Sequence, residues 1–168
     1  MRARLLLLLC LNMPGALRAQ GAGQRACLPP VQPAHDGTSF ELPASAGAIR
    51  LPPGTVSEPL GANADGRKFI LEDSTVLEIW VTPEPLGGLS AVGVTSAGAV
   101  QTCDGRIGRF AVVVTRVAFA APSGDSVYLG MLNITLGSRR FLNIVATTAN
   151  TESRDAIVKD LPSYLRLR

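Results

Sequence analysis

Residues 98–148 limit the fold more than any other stretch of this chain. Ala99–Cys103, Ile107–Ala121, Val127–Leu136 and Arg140–Thr148 are rich in Val, Ile, Leu, Phe and Thr, the residues that fit a pleated surface. Turn signals separate them: Asp104-Gly105, then Pro122-Ser123-Gly124-Asp125, then Gly137-Ser138. Asp-Gly and Gly-Ser dipeptides supply the positive φ angles of tight hairpins. Four strands joined by three short turns predict an antiparallel meander, because parallel strands need a long crossover between them.

The segments on either side extend this picture. Ser39–Leu42, Ala48–Leu51, Lys68–Leu71 and Thr75–Thr82 read as further strands, bounded by Pro43, Gly47, Pro52-Pro53 and the turn Glu72-Asp73-Ser74. Thr75–Thr82 alternates cleanly, with Leu77, Ile79 and Val81 on one face and Glu78, Trp80 and Thr82 on the other. Residues 83–97 hold two Pro and three Gly and read as a long loop. After the meander, Asn150 is a suitable helix N-cap, and Ile157, Val158 and Leu161 give an apolar stripe that Pro162 is expected to end. The expected fold class is α+β: an antiparallel meander with a C-terminal helix over residues 38–168. The alternative is an all-β sandwich with an appended helix.

The first 19 residues belong to a different class. Arg2 and Arg4 precede a seven-residue apolar run, Leu5–Leu11, and Pro14-Gly15 leads to Ala16-Leu17-Arg18-Ala19. This is the layout of a secretory signal peptide with cleavage after Ala19, leaving Gln20 as the mature N-terminus. The apolar run is well short of the ~20 residues a spanning helix needs, so no membrane span is expected after cleavage. Residues 20–37 form a Pro- and Gly-rich leader. The whole chain has 16 basic and 13 acidic residues. Arg2, Arg4 and Arg18 leave with the signal and no acid does, so the remainder is neutral. No run of basic residues exceeds two, so the linear sequence gives no support for nucleic-acid or anionic-membrane binding. Cys27 and Cys103 are the two cysteines left after cleavage, and in an oxidising compartment they are expected to form a disulfide that pins the leader.

Composition argues against most enzyme chemistry. The single histidine, His35, lies in the leader, a poor position for a rigidly held catalytic base. One His and two separated Cys fall short of a zinc ligand set, so no metal or other cofactor is expected. Gly88-Leu89-Ser90-Ala91-Val92 departs from the nucleophile elbow at its last position and lacks the strand and helix around it. Glu72, Asp73 and Glu78 are close in sequence, but the first two are better explained as a hairpin turn. No catalytic residue is assigned.

Phe40–Pro43 ahead of the meander, and a C-terminal helix opening after Asn150-Thr151-Glu152, resemble the layout of a PsbP-like domain across residues 39–165. The resemblance implies a non-catalytic accessory or scaffold role among proteins. The expected function is therefore an exported, secreted or periplasmic binding or envelope-accessory protein with a protein partner; the alternative is an envelope hydrolase. Trp80, the only tryptophan, stands on the polar side of its strand and is the candidate partner anchor.

Overall fold

The computed structural model of the chain describes residues 27–28, 36–61, 66–86, 98, 100–121 and 123–168. They form ten strands, one 3-10 turn and one α-helix: β1 (Thr38–Glu41), the 3-10 turn Pro43–Ser45, β2 (Gly47–Leu51), β3 (Val56–Pro59), β4 (Gly66–Ile70), β5 (Val76–Thr82), β6 (Val100–Ile107), β7 (Phe110–Ala120), β8 (Ser126–Gly137), β9 (Arg140–Thr148), α1 (Thr151–Tyr164) and β10 (Leu165–Leu167). Two antiparallel sheets result. The larger has the order β3-β4-β5-β9-β8-β7-β6, and the smaller the order β1-β2-β10.

The expected meander is present as β6 to β9, four neighbours in the larger sheet. One of its turns is not where the sequence suggested. Asp104 and Gly105 lie inside β6, opposite Val113 and Val112, and the chain reverses at Gly108-Arg109 between Ile107 and Phe110. A Cβ at Gly105 would make ordinary contacts with Val112 at 3.4 Å, Cys27 Cβ at 3.5 Å and Leu28 at 3.6 Å, which places the leader directly over Gly105. The bond between Cys27 and Cys103 fixes that passage, with a Cα–Cα distance of 5.7 Å. Leu28 is buried in the core, so this part of the leader is packed and not merely solvated.

Two strands escaped the sequence reading. β3 pairs with β4 through Val56–Pro59. β10, beyond the expected helix end, pairs with β2 through Leu165, Arg166 and Leu167 and completes the small sheet.

One face of the larger sheet carries the main core. Phe69, Leu77, Ile79, Val114, Ile134, Leu142, Ile144 and Ala146 are fully buried there. The small sheet closes over them with Ile49 and Leu51, and α1 closes over them with Ile157, Val158 and Leu161. Burying each such side chain contributes about 1.5–3 kcal/mol.

Asn150 caps α1 as expected. Its backbone is extended and its side-chain oxygen accepts from Ser153 N–H at 2.8 Å. Pro162 does not end the helix, which continues to Tyr164. Side chains supply donors to the carbonyls this last turn leaves open: Ser163 Oγ donates to Asp160 O at 2.6 Å, and Arg166 Nη1 to Ser163 O at 3.1 Å. Among the described residues no helix is long and apolar enough to cross a membrane.

Candidate functional site

The opposite face of the larger sheet has a different character. Strand alternation and register align its side chains in rows. One row runs Glu78, Val145, Met131, Thr115, Thr102 across β5, β9, β8, β7 and β6. The next runs Trp80, Asn143, Asn133, Val113, Asp104. Val117, Leu129, Met131 and Val145 form a second, smaller core on this face, with Trp80, Leu86, Phe119 and Val127 packed around it.

A line of directed hydrogen bonds holds the polar residues within this apolar surface. Asn133 Nδ2 donates to Asn143 Oδ1 at 2.6 Å, Asn143 Nδ2 donates to Thr82 Oγ1 at 2.9 Å, and Thr82 Oγ1 donates to Glu84 O at 2.5 Å. Asn143 is only 1% exposed, so without these partners its amide would carry an uncompensated desolvation cost. The orientation of the line leaves Asn133 as its outer end.

Next to Asn133 the surface sinks into a depression of about 300 Å³. Leu86, Val100, Val113 and Met131 give it apolar walls, and Thr102, Thr115 and Asn133 add polar atoms. The two threonine hydroxyls lie 3.4 Å apart across β6 and β7. Val100 is 47% exposed and Val113 40%, on a sheet whose other face carries the main core. Such an arrangement can hold an apolar side chain or short extended segment and orient it through hydroxyl and amide contacts.

The sequence pointed to this face through Trp80 alone. Trp80 does point away from the main core, opposite Asn143, but it is half-buried against the second cluster and does not line the depression. Val100 and Val113 were not singled out; for Val113 the signal was the mixed Val/Thr pattern of residues 112–117. Asp73 is held in the β4–β5 turn, where its carboxylate accepts from Thr75 N at 2.9 Å and from Thr75 Oγ1 at 3.0 Å. Asn133-Ile134-Thr135 lies in β8 with Asn133 committed to Asn143. His35, Gly88–Val92 and the signal segment lie outside the described residues.

Comparison with known proteins places the fold and no more. No family model matches the chain, and no curated protein matches it. A 1.50 Å crystal structure of a protein from Bacteroides thetaiotaomicron VPI-5482 is similar, with a TM-score of 0.53 and 13% identity over 79% of this chain. The chain spans 48% of the length of that protein. At this identity the likeness concerns the path of the backbone alone.

Proposed function

We propose that this chain is an exported, non-enzymatic α+β binding module of the cell envelope, taking a protein partner on the open face of its larger sheet. The observation that carries the reading is the half-exposed pair Val100 and Val113 beside a preformed depression, on a sheet otherwise closed by a helix and a second sheet. Apolar residues held in solvent by a rigid sheet lose little conformational entropy on docking, which favours binding. The Cys27–Cys103 bond suits an oxidising compartment. The layout resemblance to PsbP-like domains implies the same class of role. Trp80 is placed at the margin of the contact, where a partner that reaches past Leu86 changes its surroundings.

Site-specific photo-crosslinking in cells that make the protein natively tests this. A photoreactive residue at 113 is expected to give one discrete adduct, and Val100→Asp to abolish it. The same residue at Val56, 53% exposed on the far edge strand β3, is the control. No adduct from position 113, or the same adduct from position 56, overturns the reading.

A further inference from the structure

The fold gathers charges that the linear sequence keeps apart. Turn 108–109 joins β6 to β7, and turn 138–139 joins β8 to β9, so both lie at the same end of the meander. Val112 faces Ile134 across β7 and β8, and continuing that register brings Arg109 level with Gly137. The two hairpins therefore end side by side at one height. They carry Arg106, Arg109, Arg139 and Arg140, the first three exposed. A side chain built at Gly108 or Gly137 would meet nothing within 4 Å, so both hairpin tips are uncrowded. Local contacts spread and orient the group. Arg106 Nη2 donates to Arg109 O at 2.9 Å, the Arg109 guanidinium sits 5.0 Å from the centre of the Phe110 ring, and Arg140 donates to Ala44 O. Among the described residues none of the four is in a salt bridge.

The opposite end has the opposite sign. Glu72 and Asp73 occupy the β4–β5 turn, Asp125 the β7–β8 turn, and Glu152 the first turn of α1. At about 3.4 Å per residue, the strands between separate the two groups by roughly 30 Å. Acids also lie toward the basic end: Asp104 is two residues from Arg106 on the same side of β6, Glu84 lies beyond the end of β5, and Glu41, three residues before the Ala44 carbonyl that Arg140 contacts, pairs with Arg168. A chain with almost balanced charge is thus polarised along its strands.

We infer that the basic hairpin end is a foot that seats the protein on an anionic phospholipid surface. A single small anion is bound by donors converging on one point. Here the guanidinium groups are instead spread across two hairpin tips, which matches many phosphates in a plane. The acidic end, repelled by the same surface, sets the orientation, with the strands upright and the open face turned sideways. This inference stands on the charge distribution and does not depend on the function proposed for the open face.

Co-sedimentation of the full chain with vesicles tests it. Binding is expected to phosphatidylcholine vesicles containing phosphatidylglycerol and not to phosphatidylcholine alone. It is expected to fall steeply between 0.1 M and 1 M salt, as the screening length drops from about 10 Å to about 3 Å. Removing one arginine near such a surface weakens binding about fivefold, the equivalent of about 1 kcal/mol. Arg109→Gln with Arg139→Gln is therefore expected to lose roughly 25-fold by the same scale, while Arg50→Gln, exposed on β2 of the small sheet, loses far less. Unchanged Trp80 emission in each variant confirms that it is folded. Equal binding to neutral vesicles, no binding at low salt, wild-type binding by the double variant, or tighter retention by double-stranded DNA than by vesicles would each overturn the inference.

Discussion

Gly130 sits in β8 where α1 crosses the larger sheet, and a side chain built there would fall inside Val158 Cγ2 and meet Arg154 Cγ at 3.5 Å. Val158 is fully buried and, being β-branched, has little rotameric freedom with which to retreat. The helix therefore docks on the bare backbone of residue 130. Gly130→Ala is expected to destabilise the protein by about 2–3 kcal/mol through overpacking, although alanine suits a strand no worse than glycine. The diagnostic is the double variant. Val158→Ala alone opens a cavity and is destabilising, but in the Gly130→Ala background it removes the clash. Chemical denaturation of the four proteins should give a coupling energy that makes the double variant more stable than the sum of the single effects. Strict additivity would show that the helix does not rest on Gly130. Sequence alone gave no means of finding this contact, because an apolar strand with one glycine reads equally well as a bulge.

Elements were legible where a local signal had no competitor. Asn150 caps α1 because an extended residue with a short side-chain acceptor fits one place in a helix start. The β4–β5 turn follows from Asp73, whose side chain ties down Thr75. Asp104-Gly105 misled because its turn preference was overridden by pairing with Val113 and Val112 and by an alternative two-residue reversal at Gly108-Arg109. Pro162 misled because it falls in a last turn whose carbonyls find side-chain donors. That same turn carries a titration. Tyr164 is partly buried, and burial first and the nearby Asp160 carboxylate second hold its phenol above the usual value of 10.0. The neutral phenol is the form the fold favours. Stability from this residue is therefore complete below the unfolded-state value and declines as pH rises through 10 toward the higher folded-state value. Difference absorbance near 295 nm should place Tyr164 above 10, and Asp160→Asn should move it downward. No movement in that variant would leave burial as the sole cause. Tyr164→Phe should flatten the alkaline decline in stability.

The molecule as a whole depends on joins between segments far apart in the chain, and these were the least visible in advance. The adjacency of β5 and β9, the small sheet of β1, β2 and β10 that shares one layer with α1, and the gathering of four arginines at one end all arise from sheet order, which no local pattern encodes. The cysteines are the exception, since the sequence reading paired Cys27 with Cys103 and the two are bonded. Their bond joins the leader to the edge strand β6 across a sequence separation of 76. It lies beside Leu28, which inserts into the main core, so covalent and apolar anchoring act at one place. In the chain-entropy account a loop of this length stabilises the fold by about 4–5 kcal/mol, a large part of the 5–15 kcal/mol typical of a domain. The protein isolated without reduction should weigh two hydrogens less than the sum of its residues and resist alkylation until reduced. Cys27→Ser with Cys103→Ser should lower the denaturation midpoint sharply. It should also increase proteolysis upstream of Thr38 before any cut within the sheets, because the leader loses its covalent tie while the two sheets keep their shared core. Early cleavage inside β6 to β9 would mean instead that the bond holds the meander itself together. Two freely alkylated thiols in the native exported protein would mean that the leader is held by Leu28 alone.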